Sequence, residues 1–346
     1  MRFRATVSSR LVWVSTCRRS PLTSRTAATW MRLSSKNSTR YPVSMVKWKK
    51  TTRNPGNVKD GCRGPGSRLG KSGPHPPPEV GGAPLPPRPP SGLFGLTTDG
   101  MRIALISDIH SNVHALEKVL AALRGEGADL ILNLGDTVGY NAHPNECLEM
   151  VQAEPILSLA GNHDLALLDL ERAEHFNIIA YQAIAWSREQ VRPEFLEFFR
   201  NLPLVHEGEF FLACHGTPTS TDSYISYHFQ GKRVFNTLVR GLGLKVCFFG
   251  HTHRRALWYR DIRGTVATQP ATLGKILLEP GWHYLINPGS VGQPRDGNPH
   301  AAYAIFDDKE FSIHFKAVAY DVAAAQHAIR RAGLPEFLAE RLEQGI

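Results

Sequence analysis

The sequence predicts an α/β fold, and two observations carry the prediction. From residue 101 onward, short apolar runs alternate with segments of helical periodicity, the order expected of strands joined by crossover helices. The early runs are near-continuous in apolar residues, which places those strands between two covered faces. A third observation adds to this plan. The late runs in "HYLINPGS", "AAYAIFD" and "FSIHFKAVAY" alternate apolar with polar and are expected to form a second sheet.

The elements follow in order. "RIALISD" reads as a strand ending at Asp108, followed by a helix in "NVHALEKVLAALRGEG". There Val113, Leu116, Val119, Leu120 and Leu123 recur at helical spacing, Gly125 supplies a stop, and Ser111 and Asn112 are candidate caps. "ADLILNLGD" repeats the plan, ending at Asp136 before the loop "TVGYNAHP" and a helix in "NECLEMVQ". A third run, "PILSLAGNHD", ends at Asn162 and His163.

Residues 165–200 then read as a helical insertion, with Phe176, Ile179, Ala183 and Trp186 at spacings of three and four, placed to cap one edge of a site. "GEFFLACHG" and "LKVCFFGHTH" resume the strand pattern, and a less regular stretch precedes the late strands. A closing amphipathic helix spans Val322 to Leu342, interrupted between Gly333 and Pro335. No internal repeat accompanies this alternation.

The chain divides by composition near residue 100. Of its 346 residues, the first hundred carry 18 basic and 3 acidic side chains, the remaining 246 carry 22 and 28, so +15 and −6 make up the net +9. The basic pI therefore describes the first segment and not the folded part. That segment is rich in Arg, Ser and Thr and ends in the tract "GPHPPPEVGGAPLPPRPPSG". It is too poor in periodic apolar residues to offset its ordering entropy, so residues 1–100 are expected to be a disordered extension and 101–346 a single domain.

Three roles for the extension stay open: an organellar transit peptide, a basic nucleic-acid-binding arm, or an over-extended gene model whose translation begins at Met101. No run reaches the roughly 18 apolar residues of a membrane span, so no membrane partner is expected. Five cysteines without paired spacing fit free thiols in a reducing compartment. A cytoplasmic location follows, with organellar import as the alternative.

The informative pattern is where the polar residues fall. Five apolar runs end in metal-binding side chains: Asp108 with His110, Asp136, Asn162 with His163, His215, and His251 with His253. Ligands in open α/β sheets bind beyond the carboxyl ends of the strands, so these positions converge although they are far apart in sequence. One strand-end Asp or His alone reads equally well as a helix cap or a loop hydrogen bond; five together do not.

The mixture of Asp and Asn oxygen with imidazole nitrogen, without thiolate, suits Mn, Fe, Co, Ni or Zn. Seven candidate ligands suit two ions, with Asp136 able to bridge them. Two such ions can lower the pKa of bound water and clamp a phosphoryl group. An anionic phosphate ester fits the resulting positive field.

"DIH", "GD", "GNHD", "CHG" and "GHTH", in this order, resemble the calcineurin-like metallophosphoesterase family across residues 101 to about 320. The resemblance implies a four-layer α/β/β/α sandwich. It implies one divalent ion held by Asp108, His110, Asp136 and His253 and a second by Asp136, Asn162, His215 and His251, with manganese the first choice. It also implies a bridging solvent nucleophile, with His163 assisting the leaving group. Asp164 is expected to orient His163.

In many members of the family the second motif continues to another Asp where "GDTVG" has Gly139, and the Arg that follows in the Ser/Thr protein-phosphatase branch is also absent. The chain's loops resemble the small bacterial-type phosphoesterases. Arg254, Arg295 and Tyr140 are the candidate substrate-binding residues, because a guanidinium matches phosphate oxygens in a bidentate way. His143, Tyr224 and Tyr227 are weaker candidates. Cys214 and Cys247 are read as core.

The expected function is metal-dependent hydrolysis of a small nucleotide or other small phosphoester, by a phosphodiesterase or phosphatase. The alternatives are a nuclease-like protein using the basic arm and a non-catalytic metal-binding scaffold. The acidic domain argues against the first, and the complete ligand set argues against the second.

Overall fold

All residues of strand β1 (Arg102–Ile106) after the first are buried, because its two faces meet two different layers. Ile103 and Leu105 enter the core between two sheets, while Ala104 and Ile106 enter a second core beneath helices. This is the physical origin of the near-continuous apolar run. The computed structural model describes residues 100–346, so the readings made for the N-terminal extension lie outside the described residues.

The first sheet joins β1 in parallel to β2 (Leu130–Asn133), and β2 in parallel to β3 (Ile156–Ser158). On the other side of β1, antiparallel pairing adds β11 (Ala301–Asp307), β12 (Ser312–Val318) and β9 (Gly274–Leu277). The second sheet repeats the design. Its parallel trio is β5 (Phe211–Cys214), β6 (Val246–Phe248) and β10 (His283–Pro288), flanked by antiparallel β4 (Val205–Glu207) on one edge. Antiparallel β7 (Arg255–Arg260) and β8 (Val266–Gln269) complete the other edge.

The late strands therefore do not make a sheet of their own, as their alternation suggested. β11 and β12 extend the sheet of β1, and β10 joins that of β6. The stretch read as irregular, after His253, holds β7, β8 and β9. β8 and β9 are edge strands with half-exposed side chains, so neither carries a continuous apolar signal.

Helices close both outer faces. α1 (Val113–Leu123), α2 (Pro144–Ala153), α7 (Val322–Arg331) and α8 (Glu336–Gln344) pack Leu116, Val119, Val151, Ile329 and Leu338 over the first sheet. α6 (His228–Thr237) covers the second sheet through Val234 and Phe235, against Cys214, Cys247 and Leu285. The result is two sheets flanked by helices, the α/β/β/α layering implied by the motifs. Cys214 and Cys247 are buried beneath α6, as expected.

The Asn112 side chain caps α1 by accepting from the Ala115 N–H at 3.2 Å, whereas the Ser111 hydroxyl does not take that role. α7 and α8 are separated at Gly333 and Pro335, where the sequence placed the interruption. The helical insertion comprises α3 (Asn162–Leu168), α4 (Ile178–Gln190) and α5 (Leu196–Asn201), joined by short 3₁₀ turns. It has its own small core of Leu167, Ile184, Phe195 and Phe199, sealed against Val138 and Leu148.

Candidate metal centre and active site

The two parallel trios end at one place, and their C-terminal ends supply the candidate ligands. From the first sheet come Asp108 and His110 after β1, Asp136 after β2 and Asn162 after β3; from the second come His215 after β5 and His251 with His253 after β6. All seven are buried. Six of their side chains form two groups, Asp108–His110–His253 and Asp136–His215–His251, in each of which the candidate ligand atoms lie within 4.8 Å of one another. Each group draws on both sheets.

The backbone is strained at these positions. Asp108, His110, Asp136, His251 and His253 have φ between 47° and 65°, the left-handed region. Each non-glycine residue there costs about 1–2 kcal/mol, so the surrounding structure must hold it in place. Loop hydrogen bonds do so: the Asp108 N–H donates to the Gly135 carbonyl and the His110 N–H to the Asp136 carbonyl, both at 3.0 Å. Gly161 allows the third strand end to approach, because a Cβ there would lie 2.0 Å from Asp136 Oδ1.

The hydrogen bonds behind the imidazoles fix their chemistry. Nδ1–H of His110 donates to the Val138 carbonyl at 2.9 Å, that of His253 to Gln293 at 2.7 Å, and that of His215 to Leu134 at 2.9 Å. A carbonyl can only accept, so each ring keeps its Nδ1 proton and turns Nε2 toward the centre, where the neutral ring offers a lone pair. Nε2 of His110 and Nε2 of His253 nevertheless face each other at 3.1 Å, and His215 Nε2 lies 3.2 Å from His251 Nδ1. Lone pairs gathered this closely fit a shared cation.

Asp136 stands between the groups. Its Oδ2 is 3.6 Å from His110 Nε2 and 3.3 Å from His215 Nε2, while Oδ1 accepts the His163 backbone N–H at 2.8 Å. Oδ2 is thus the atom free to bridge. Asn162 Oδ1 lies 3.1 Å from His215 Nε2, and Asp108 Oδ1, 3.3 Å from His253 Nε2, is buried without a hydrogen-bond donor among the described residues. Such an oxygen is costly unless a cation meets it.

The electrostatics agree. Burial opposes ionisation of Asp136, but His215, His163 and His110 outweigh it and hold the carboxyl below the usual range. Burial likewise disfavours a charged His215, yet the Asp136 carboxylate pushes its pKa up to about 9. Positive charge is demanded at this point, whether from a proton or a metal ion. Burial holds His110 and His253 well below the ordinary value, so they are neutral and able to ligate. The oxygen and imidazole set without thiolate fits two divalent ions.

Asp164 does not orient His163, contrary to the expectation from their adjacency. Its Oδ2 accepts the backbone N–H groups of Asp136 at 2.8 Å and Gly161 at 2.9 Å, and its Oδ1 those of Thr137 at 2.9 Å and Val138 at 3.3 Å. The carboxylate clamps the loop that carries Asp136 to the turn that starts α3. Burial and the neighbouring Asp136 push its pKa up to about 7, against the four N–H donors, which favour the ionised form.

His163 faces the cavity, with its pKa lowered to about 4, chiefly by burial and then by Arg295 and His215. Near pH 7 its imidazole is therefore neutral, an N–H donor rather than a store of acid.

The cavity above the centre holds about 270 Å³ and is lined by both sheets' strand ends and by the insertion. Tyr140 and Arg295 line it, with the guanidinium 5.5 Å from the Tyr140 ring centroid and hydrogen-bonded to Gln293 Oε1 at 2.8 Å. Arg254 points elsewhere: it is exposed and outside the cavity lining, so the reading of it as a phosphate contact loses its basis. His143 packs on His114, and Tyr227 is exposed away from the lining. Tyr224 does line the cavity, stacked on His251 at 4.1 Å.

The sequence reading missed His175, Asn177 and Asp222 at the rim and did not see Phe176 as a wall. His175 Nε2 meets Asp222 Oδ1 at 3.1 Å, linking the insertion to the loop after β5. No local pattern marks these residues, because they meet only when the insertion folds back over the strand ends.

The calcineurin-like phosphoesterase family profile matches residues 101–255. An uncharacterized protein of Methanocaldococcus jannaschii is 40% identical over 249 residues, covering 70% of this chain and 98% of its own length. The crystal structure of a metallophosphoesterase from Sphaerobacter thermophilus is 36% identical, with a TM-score of 0.61 over 72% of this chain and 100% of that one. A hypothetical protein from Pyrococcus horikoshii, 17% identical, shares the fold with a TM-score of 0.57 over 71% of this chain and 98% of its own. With its ligand motifs converging on two sheets' strand ends and these relatives matched along nearly their full length, this chain belongs to the calcineurin-like phosphoesterase family.

Proposed function

We propose that the protein hydrolyses small phosphoric esters using two divalent metal ions, with manganese as the first choice. One observation carries the reading: two buried Asp/His groups, drawn from both sheets, meet at Asp136 with their imidazole lone pairs facing inward. Asp108, His110, Asp136 and His253 would hold one ion, and Asp136, Asn162, His215 and His251 the other. When bound, such ions lower the pKa of water and act as Lewis acids toward phosphoryl oxygens.

The chain's own residues supply the remainder. Arg295, with its Nε buried and unpaired, offers donors to a non-bridging phosphate oxygen. His163 offers an N–H to the oxygen on which charge develops as the ester bond breaks, and Tyr140 walls that side of the cavity against water. The cavity volume favours a small ester over a polymer or a folded protein. The nucleic-acid reading depends on residues 1–100, outside the described residues, and no helix among the described residues is long and apolar enough to cross a membrane.

The test uses the purified protein with Mn²⁺ and other divalent ions, against p-nitrophenyl phosphate and bis(p-nitrophenyl) phosphate, with metal content measured alongside. Chelator-sensitive turnover and two ions per chain are expected. Absence of turnover under every divalent ion sinks the proposal. His163→Ala is expected to lower turnover by about 10²- to 10⁴-fold with metal content retained, which separates an enzyme from a metal-binding scaffold.

A further inference from the structure

We infer that Phe176, from the helical insertion, is the positioning residue for His163, holding its ring by aromatic packing where no polar partner does. The inference starts from an unmet need. His163 Nδ1 is buried and has no hydrogen-bond partner among the described residues. The nearest carboxylate in sequence, Asp164, is committed to four backbone N–H groups.

The segment facing Nδ1 carries Gly139, at φ 98°, where an added Cβ would lie 2.6 Å from that nitrogen. No side chain can reach the ring from there. A ring without a hydrogen bond is free to turn about its terminal torsion unless packing stops it. The packing is present on several sides. Tyr140 lies 4.7 Å from the His163 ring centroid at 50°, His110 at 4.9 Å and 80°, and Phe176 at 4.8 Å and 37°.

Tyr140 and His110 belong to the buried floor, held in left-handed backbone. Phe176 is the flanking ring supplied from elsewhere. It is itself anchored: its N–H donates to the Ala173 carbonyl at 3.0 Å, and its ring packs against both the outer core of the first sheet and the core of the insertion. The insertion thereby does for His163 what a hydrogen-bonded partner does in other sites, fixing the ring plane before substrate arrives.

The kinetic arm of the test rests on the proposed phosphoester hydrolysis; a spectroscopic arm does not. In the full chain, Phe176→Ala is expected to lower kcat by roughly ten- to a hundredfold with little change in KM, because a misdirected catalytic group costs rate rather than affinity. Phe176→Tyr restores most of the loss. In a His163→Ala background, adding Phe176→Ala leaves turnover within about twofold, since a residue acting only through His163 has nothing left to position. Equal losses in both backgrounds, or no loss in the parent, overturn the inference.

The second arm is proton NMR of the His163 Cε1–H, identified by its disappearance in His163→Ala. Phe176→Ala should remove the ring-current shift. An unmoved resonance overturns the inference whether or not the parent turns over, and a moved resonance in a protein without turnover sinks only the proposed hydrolysis.

Discussion

The floor of the cavity and its rim are built from different physics. The floor residues are buried, five of the ligand positions sit in left-handed backbone, and His110, His215 and His253 are each tied by a hydrogen bond to a backbone carbonyl. The rim residues His175 and Asp222 are exposed, at 60% and 46% of their side chains, and meet through one hydrogen bond. A floor of this kind cannot relax when a ligand changes; a rim of this kind can. Rigidity is therefore concentrated where the geometry must be kept to fractions of an ångström, and tolerance is left where the substrate varies.

The largest effect should come from the atom both metal groups share. Asp136→Ala is expected to abolish turnover and reduce bound metal, read by elemental analysis of the purified variant; a fully loaded, active variant breaks the distinction between floor and rim. Next comes the clamp beneath the floor. Asp164→Ala leaves four backbone N–H groups without their acceptor, and urea denaturation should show a loss of about 3 kcal/mol or more.

At the rim the effects shrink. Arg295→Ala should raise KM by about tenfold through a lost charge-assisted hydrogen bond, while Arg254→Ala, outside the lining, should leave kcat and KM at parent values. The reverse ranking would move substrate recognition to the far side of the His-x-His pair. Smallest of all, breaking the exposed His175–Asp222 pair should change stability by no more than about 1 kcal/mol.

Much of the floor was legible in the sequence, because each ligand sits at the end of an apolar run and strand ends converge by the geometry of a parallel sheet. Asp108, Asp136, Asn162, His215, His251 and His253 could be placed from their own neighbours. The rim was not legible for the complementary reason. His175 and Asp222 are 47 residues apart, and only the fold of the insertion brings them together. Arg254 shows the same limit in reverse: adjacency to His253 in sequence suggested a phosphate contact, but the chain turns at once into β7 and carries the side chain out of the cavity.

The partition of the late strands was also beyond local reading. Alternation identifies β10, β11 and β12 as strands, but which sheet each joins is set by pairing partners distant in sequence, such as Leu105 with Ala304, and Ile286 with both Phe248 and Leu257. The sequence by itself determined the α/β class, the strand ends and the donor chemistry gathered on them, since these follow from periodicity and residue type. Only the tertiary structure decided which carboxylate clamps a loop, which arginine faces the cavity and what holds His163, because those depend on directions and neighbours that a linear pattern does not encode.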